Sequence, residues 1–305
     1  MDTNQRQFGT SRPPWLLYVF LKFYLLLRKI GVTKLPHIKG MFYYIYSRIK
    51  NKTGIMEVLT IDGIRLSIDL ADDIIATKLL QYGYWEKGLT ILVKKLIKPG
   101  MTVIDVGAHV GYYSTLFSSL VGSSGRVIAF EPEPYNLSLL KKNMTANHCE
   151  QCLIEPVALS DANGTVTLYL DSVNRGAHSM INYGLSKQGV AIKAIRLDEY
   201  IQSKRQSIDF IKMDIEGNES FALSGAIETI RSSPNLVMVL EFCPTFLRRS
   251  SQDPEAFLVK IASYGFFISV IDHDSGALKT FANNADIIQA CGTGLVNLLC
   301  SRNAL

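Results

Sequence analysis

The chain has 305 residues, of which 48% are hydrophobic, and it carries a formal net charge of +5. Its composition supports a sizeable core and excludes a repeat or low-complexity architecture, while its five scattered cysteines exclude a disulfide framework. We therefore expect a reducing, cytoplasmic location. Cys149 and Cys152 form a lone Cys-x-x-C pair, which lacks the further ligands that a structural zinc site needs.

The first 52 residues are strongly basic and rich in aromatic side chains. They contain ten Lys or Arg and one acid, a net +9, so the remainder of the chain carries −4. Trp15 to Leu27 is apolar except for Lys22, and this stretch is shorter than the about 20 residues that span a bilayer. A signal peptide is disfavoured because Arg28-Lys29 stands where a small-residue cleavage site belongs. Two interpretations remain: a helix at the inner face of the membrane, or a helix packed on the following domain.

Two elements precede the main α/β region. Glu57 to Leu70 alternates apolar and polar residues around Asp62-Gly63, which predicts a β-hairpin. Trp85 to Ile97 is amphipathic and is followed by a Lys-Pro-Gly sequence, which predicts a helix that ends there. We therefore expect an N-terminal extension at residues 1–56 and one domain at residues 57–305.

From residue 102 onward, strands and helices alternate as in parallel βαβ units. The pattern predicts an α/β, doubly wound, Rossmann-like fold with about seven mostly parallel strands, of which the last two form an antiparallel hairpin. The predicted elements are strand 102–107, helix 110–121, strand 126–131, helix 133–147, strand 152–157, an inserted hairpin of Val166–Leu170 and Val190–Ile195, strand Ile208–Asp214, a helix from Glu219, strand Leu236–Phe242, helix 254–263, and strands Phe266–Ile271 and Leu295–Cys300.

The first strand of this region runs into a glycine-punctuated turn that is typical of a pocket for a ribose-bearing cofactor. Gly107 and Gly111 let the backbone turn tightly and approach a ligand. Glu131 follows Gly111 by 20 residues, at the end of the next strand. A carboxylate at about that spacing is the usual acceptor for ribose hydroxyls in such folds.

The glycine spacing argues against a dinucleotide. The dinucleotide fingerprint has glycine at its first, third and sixth positions, which here hold Gly107, His109 and Tyr112. NAD and FAD are disfavoured because a pyrophosphate needs bare backbone at these positions, although a nicotinamide oxidoreductase stays open as an alternative. S-adenosylmethionine carries no phosphate, and Asp105 before the turn can interact with its ammonium group directly or through water.

Four acids fall at the ends of predicted strands. In open α/β sheets ligands bind outside the carboxyl ends of the strands, so Asp105, Glu131, Asp214 and Glu241 would share one rim. Asp214 and Glu241 together offer a divalent cation two oxygens, which is too few to assign a metal site. No metal ligand is therefore predicted, and a divalent cation stays an open alternative.

Several blocks of sequence together resemble the FkbM-type family of S-adenosylmethionine-dependent methyltransferases. The resemblance extends from about Tyr82 to Gly265, and its most particular block is Lys-x-Asp-x-Glu-Gly-x-Glu. His109 departs from the family, which often has asparagine there. The blocks are Leu96–Ser114, Ala129–Pro132, Ala158–Asp161, Arg196–Tyr200 and Phe210–Glu219.

The resemblance implies methyl transfer to oxygen on a sugar, a glycan- or lipid-linked saccharide, or a secondary metabolite. Glu86 precedes the helix that leads to the glycine turn, where it can either contact the methionine end of the cofactor or cap that helix. With the residues argued above, the expected cofactor contacts are Glu86, Asp105, Gly107, Ala108, His109, Gly111, Glu131, Pro132, Ala158 and Leu159.

An alcohol acceptor must lose its proton, and carboxylates are suitable bases. Asp214, Glu216 and Glu219 crowd one strand end and are the expected catalytic residues, although Glu219 in a first helical turn is also a plausible cap. The candidate acceptor contacts are Arg175 and His178 in the inserted loop, and Glu241.

A second class of function stays open, a catalytically inactive, membrane-tethered binding module with the same fold. Nucleic acid is not an expected partner, because an acidic rim repels phosphate. Nucleobase amino methylation is also disfavoured, since Asp214-Ile215-Glu216-Gly217 stands where such enzymes typically have Pro-Pro-aromatic.

Overall fold

The computed structural model describes residues 15–29, 31, 37, 40–42, 44, 46, 54–171, 178–182, 189–202 and 207–303. The chain divides into two compact units, Met1–Trp85 and Glu86–Leu305. The sequence predicts that the catalytic domain begins at residue 57, and that functional boundary stays a prediction.

The first unit contains the predicted hairpin. β1 (Ile55–Leu59) and β2 (Arg65–Asp69) pair antiparallel, and the turn between them includes Gly63 at φ +81°, a conformation that glycine adopts readily. This observation confirms the hairpin centred on Asp62-Gly63. The described elements of the unit are α1 (Trp15–Lys29), β1 (Ile55–Leu59), β2 (Arg65–Asp69) and α2 (Asp73–Tyr82).

One face of α1 is buried within the first unit. The Tyr24 side chain is fully buried, and its ring centroid lies 4.4 Å from that of Phe42. The Arg28 guanidinium donates a hydrogen bond to the Leu80 carbonyl at 3.1 Å. Among the residues described, none of the helices has the length and hydropathy that crossing a bilayer requires.

The second unit begins with a helix and continues with alternating strands and helices. The order follows the prediction closely, with most boundaries within two residues of the expected ones. Its described elements are α3 (Lys87–Leu96), β3 (Thr102–Val106), α4 (Tyr112–Val121), β4 (Arg126–Phe130), α5 (Pro134–Ala146), β5 (Cys152–Glu155), β6 (Ala158–Leu159), β7 (Gly164–Tyr169), β8 (Gly189–Ile195), α6 (Leu197–Gln202), β9 (Phe210–Met213), α7 (Glu219–Ser224), α8 (Ile227–Ser232), β10 (Val237–Phe242), α9 (Pro244–Arg249), α10 (Pro254–Ser263), β11 (Phe267–Ile271), β12 (Leu278–Lys279), α11 (Asn284–Cys291) and β13 (Val296–Ser301).

Eight strands form the main sheet in the order β12-β11-β13-β10-β9-β3-β4-β5. The five strands from β10 to β5 are parallel, and β13 pairs antiparallel with both β10 and β11. This arrangement confirms the doubly wound α/β class. β11 and β13 pair antiparallel as expected, but they are not a tight hairpin, because β12 and α11 lie between them in sequence.

The inserted hairpin is present and forms its own small sheet. β7 pairs antiparallel with β8 from Gly164 opposite Ala194 to Tyr169 opposite Gly189, and the short β6 joins β8 in parallel. In the chain, β6 lies between β5, the last strand of the main sheet before the insertion, and the hairpin of β7 and β8.

The centre of the main sheet is buried on both faces. Every residue of β3 and β9 is buried, which explains why these strands read as nearly continuous apolar runs. Asp105 in β3 and Lys212 in β9 interrupt those runs, and they are register partners on the two adjacent strands. A buried acid beside a buried base marks the part of the sheet from which the site is built.

Candidate active site

The turn after β3 depends on glycine. Gly107 has φ +79°, and a Cβ added to it would lie 2.0 Å from the Asp214 backbone oxygen. Gly111 has φ +87° at the start of α4, and a Cβ there would lie 2.5 Å from Leu140 Cδ1. Because Gly107 has no side chain, the turn can lie against the end of β9. Because Gly111 has none, α4 can pack on α5.

Glu131 follows β4 and is tied to this turn. Its Oε2 accepts a hydrogen bond from the His109 backbone N–H at 2.7 Å, and its Oε1 accepts one from the Glu133 N–H at 2.9 Å. Burial raises the pKa of Glu131 to about 7. Each carboxylate oxygen keeps a further lone pair, so the group can accept two more hydrogen bonds.

Asp105 is 1% exposed and lies at the base of the same turn. Ser114 Oγ donates a hydrogen bond to its Oδ2 at 2.5 Å, whereas its Oδ1 has no hydrogen-bond partner among the described residues. Burial raises the pKa of Asp105, and the Lys212 ammonium opposes that rise. Asp105 Oδ1 can therefore accept a hydrogen bond from the ammonium group of a ligand or from a bridging water.

Three acids come together where β9 and β10 end. Oxygen atoms of Asp214, Glu216 and Glu241, here called the carboxylate cluster, lie within 4.8 Å of one another. Lys212 Nζ donates to Asp214 Oδ2 at 3.0 Å. Burial and then the Asp214 carboxylate raise the pKa of Glu216 to about 9, and burial raises the pKa of Glu241 well above its usual value.

A cleft of about 570 Å³, including its open mouth, adjoins the glycine turn, Glu131 and the end of β9. The glycine turn and Glu131 line one part of it, and the end of β9 lines another. Residues 157–159 and the inserted hairpin complete the wall with mostly apolar side chains. The predicted site residues that line the cleft are Gly107, His109, Glu131, Pro132, Ala158, Leu159, His178, Asp214 and Glu216. Six predicted site residues that the structure describes do not line it: Glu86, Asp105, Ala108, Gly111, Glu219 and Glu241.

Residues 105–268 match the model of the Methyltransferase FkbM domain. The matched region covers more than half of the chain and includes the glycine turn, Glu131 and the carboxylate cluster. The chain belongs to this family. It is therefore a member of the FkbM-type S-adenosylmethionine-dependent methyltransferases, as the sequence blocks predicted.

Individual relatives are distant. The chain is 25% identical over 155 residues to the 2-O-methyltransferase NoeI of Sinorhizobium fredii, covering 46% of this chain and 63% of NoeI. It is 39% identical over 64 residues to protein-L-isoaspartate O-methyltransferase 1 of Arabidopsis thaliana, covering 21% of this chain and 28% of that protein. The matches thus span less than two thirds of these relatives. The methyltransferase FkbM structure from Methylobacillus flagellatus is 17% identical, with a TM-score of 0.41, over 66% of this chain and 43% of that one.

Glu86, which precedes the region matched by the FkbM family model, stands at the start of α3 but does not cap it. Its backbone has φ +42°, and its side chain makes no capping hydrogen bond. The carboxylate instead accepts from Tyr113 Oη at 3.0 Å and from Asn297 Nδ2 at 2.5 Å. Burial raises the pKa of Glu86, and Lys212 and Asp214 act on it electrostatically. Glu86 therefore belongs to the electrostatic environment of the site.

Glu219 holds the turn that carries Glu216. Its Oε1 accepts from the Ile215 N–H at 3.0 Å and from the Gly217 N–H at 3.4 Å. Glu216 adopts φ +53°, a left-handed conformation that is strained for a residue with a side chain. Glu219 Oε1 thus stabilises the turn that precedes α7 rather than capping the helix, and a catalytic role for Glu219 stays a prediction.

The inserted hairpin contacts this turn through Ser179. Ser179 Oγ donates to the Glu216 carbonyl at 2.8 Å and accepts from Asn218 Nδ2 at 3.2 Å. His178 lines the cleft, and its Nδ1 accepts from the Asp171 N–H at 2.8 Å. Arg175, the other predicted loop contact, lies outside the described residues.

The sequence did not single out Lys212 or Ser179 as site residues. Lys212 is 3% exposed, pairs with Asp214 and lies 4.9 Å from the centroid of the Tyr113 ring. Burial lowers its pKa, but the carboxylates of Asp214 and Asp105 outweigh that effect and raise it. A lysine inside an apolar strand was a signal available in the sequence, whereas nothing local marked Ser179.

Proposed function

We propose that this protein is an O-methyltransferase that acts on a hydroxyl of a sugar, a glycan- or lipid-linked saccharide, or a secondary metabolite. The observation that carries the proposal is the position of Asp214, which lines the same cleft as the glycine turn and Glu131. A base and a cofactor pocket therefore adjoin within one cavity. The name of the relative NoeI, a 2-O-methyltransferase, supports oxygen as the acceptor atom.

The residues of the cleft fit S-adenosylmethionine. Glu131 has lone pairs for two ribose hydroxyls, and the side chains of residues 157–159 give the apolar wall that an adenine requires. Asp105 does not line the cleft but lies at the base of the glycine turn, and its Oδ1, which has no hydrogen-bond partner among the described residues, suits the ammonium of the methionine end, directly or through a water. When bound, the cofactor supplies an electrophilic methyl group on a positively charged sulfur.

Asp214 is the proposed general base. The Lys212 ammonium occupies its Oδ2, which fixes the carboxylate and leaves Oδ1 for the proton of the acceptor hydroxyl. Glu216 lines the same cleft beside Asp214, and we propose that it contacts the acceptor. We further propose that His178 and Glu241 contribute to the acceptor side.

The experiment that tests this function compares metabolites of a deletion strain and its parent by mass spectrometry. We expect one surface glycan or secondary metabolite to lose the mass of one methylene, and the wild-type gene to restore it. The Asp214→Asn variant should not restore it. If the parent and the deletion strain have identical profiles of methylated hydroxyls, or if Asp214→Asn complements fully, the proposed function is wrong.

The inactive binding module predicts a different outcome. Such a protein binds the cofactor but leaves every methylated compound unchanged on deletion, so the same experiment separates the two functions. Membership of a methyltransferase family leaves a nicotinamide oxidoreductase without support. Calorimetry with NADH checks that alternative, and we expect no binding.

We also propose peripheral membrane contact through α1. Val19, Phe23 and Leu26 lie at helical spacing, and each is more than half exposed. Exposed Lys22 lies in the same helix, and the first 52 residues carry a net +9, which favours an anionic lipid surface. This arrangement suits a helix lying in the headgroup region at the inner face of the membrane.

Liposome flotation of the full chain tests the membrane proposal. With vesicles containing anionic lipid, we expect the wild type to float and a variant with Ser at positions 19, 23 and 26 to stay in the soluble fraction. A control variant, Val259→Ser, replaces another side chain that is 53% exposed and should float like the wild type. Equal partitioning of the wild type and the triple variant would exclude the contact.

A further inference from the structure

We infer that the carboxylate cluster binds a divalent cation of the class that prefers oxygen ligands, Mg²⁺, Mn²⁺ or Ca²⁺. The site consists of Asp214 at the end of β9, Glu216 in the following turn and Glu241 in β10. Its existence does not depend on methyl transfer, whereas its role in turnover rests on the function proposed above.

The spacing of the oxygens suits one ion. The ligand oxygens of the three residues lie within 4.8 Å of one another. Two oxygens on opposite sides of a single ion are separated by twice the metal–oxygen distance, which is about 4.0–4.2 Å for Mg²⁺ and about 4.6–5.2 Å for Ca²⁺. Small side-chain adjustments would therefore bring all three residues into one coordination shell.

Glu241 supplies an independent indication that a cation belongs there. Its side chain is 7% exposed, and its Oε2 has no hydrogen-bond partner among the described residues. Its electrostatic neighbours are the carboxyl groups of Asp214, Glu216, Glu219 and Glu86, all of the same sign. A buried carboxyl oxygen without a donor is destabilising, and a cation compensates both the missing hydrogen bond and the repulsion.

Lys212 does not provide that compensation. Its ammonium is 3.0 Å from Asp214 Oδ2, on the side of β9 where it also faces Asp105 and Glu86. The cluster thus holds three carboxyl groups beside a single ammonium. A divalent ion would bind their deprotonated forms, and the protons that burial favours on Glu216 and Glu241 would be released to solvent.

The turn that carries Glu216 is fixed before any ion binds. Glu219 accepts hydrogen bonds from the N–H groups of Ile215 and Gly217, and Ser179 donates to the Glu216 carbonyl. These contacts hold Glu216 at φ +53° beside Asp214. Preorganised ligands of this kind reduce the entropy that metal binding has to overcome.

A cation at this position would assist the loss of the acceptor proton, because a coordinated alcohol loses its proton more easily. With the ion bound, Asp214 would serve as a ligand in place of the general-base role proposed for the ion-free site.

Calorimetry and electron paramagnetic resonance with Mn²⁺ test the site on the full chain without cofactor. We expect one Mn²⁺ per chain, with affinity at least ten-fold weaker in Glu241→Gln and unchanged in the control Glu228→Gln, whose side chain is 72% exposed. Glu216→Gln is the second variant if Glu241→Gln does not fold, and the same loss is expected. No bound Mn²⁺, or equal binding by the wild type and the cluster variants, would overturn the inference.

Cofactor binding keeps this test separate from the proposed function. If Mn²⁺ does not bind but S-adenosylmethionine does, the cation inference fails and methyl transfer stands. If Mn²⁺ binds and S-adenosylmethionine does not, the cation site stands and the proposed function fails.

Discussion

At the scale of single residues, similar acids have different roles because their surroundings differ. Asp214 pairs with Lys212, Glu219 accepts from backbone N–H groups, and half-buried Glu216 lies in a left-handed turn with its pKa raised to about 9. The sequence predicted these three acids as one catalytic set. Their different surroundings support different proposed roles: Asp214 as the base, Glu216 as an acceptor contact and Glu219 as a residue that stabilises the turn.

The Asp214→Asn substitution tests the proposed base. We expect methyl transfer to fall by about 10²- to 10⁴-fold, the usual contribution of general base catalysis, while cofactor binding is retained. The measurement is incorporation of a labelled methyl group into the acceptor fraction purified from the deletion strain. Asp274→Asn, at a side chain that is 84% exposed, is the matched control. Full activity of Asp214→Asn would remove Asp214 from the mechanism.

At the scale of elements, the site depends on contacts between segments far apart in sequence. The inserted hairpin holds the turn after β9 through Ser179, and β13 reaches Glu86 through Asn297. The contact between Asn297 and Glu86 depends on the position of β13 in the sheet, between β10 and β11. These elements arrange a site whose acids come mainly from strand ends.

Replacing Ser179 by Ala tests the contact between the hairpin and the turn. The change removes a hydrogen bond to the Glu216 carbonyl, one from Asn218 Nδ2 and one from the Ile181 N–H, at a residue that is 2% exposed. We expect the free energy of unfolding in urea to fall by about 1–2 kcal/mol. Amide hydrogen exchange at residues 178–182 should also become faster.

Ser138→Ala is the control, because Ser138 Oγ bonds the Tyr135 carbonyl on the exposed surface of α5. It should leave both measurements nearly unchanged. If Ser179→Ala and Ser138→Ala behave alike, the Ser179 contact does not organise the turn.

Local sequence signals predicted much of the fold and the cofactor side of the site. The glycines at 107 and 111 and the acid at 131 are readable because turn geometry and strand ends impose fixed spacings. The succession of strands and helices along the chain, up to β10, could be predicted from apolar periodicity and short connections. The position of β13 and the contacts of Lys212, Glu219 and Ser179 were not readable, because they depend on packing between distant segments.

At the scale of the whole molecule, the second unit, Glu86–Leu305, concentrates acidic side chains in one place. Glu86, Asp105, Glu131, Glu216, Glu219 and Glu241 all have raised pKa values, chiefly because they are buried. Burying these acidic groups therefore lowers the free energy of unfolding of the ligand-free protein. Positively charged ligands should recover part of that stability.

The pH dependence of stability should reflect this arrangement. Folding raises the glutamate pKa from its usual value near 4.5 to about 7 for Glu131 and Glu219 and to about 9 for Glu216. Each of these side chains therefore binds its proton more tightly in the folded state. The folded state thus holds more protons than the unfolded state across that window, so the free energy of unfolding should fall as pH rises from about 5 to about 9.

Urea unfolding of the ligand-free protein at several pH values measures this dependence. Glu216→Gln should flatten the upper part of the profile, from about pH 7 to about pH 9, because the glutamine does not titrate. A stability that rises through this range, or a Glu216→Gln profile that parallels the wild type, would contradict the assigned pKa shifts.

Calorimetric titration with S-adenosylhomocysteine, the product form of the cofactor, tests the central claim most directly. We expect the full chain to bind one molecule, and Glu131→Gln to bind about 10- to 100-fold more weakly, because the variant loses a charged acceptor for the ribose hydroxyls. Absence of binding to the wild type, or an unchanged affinity in Glu131→Gln, would contradict the proposed cofactor site.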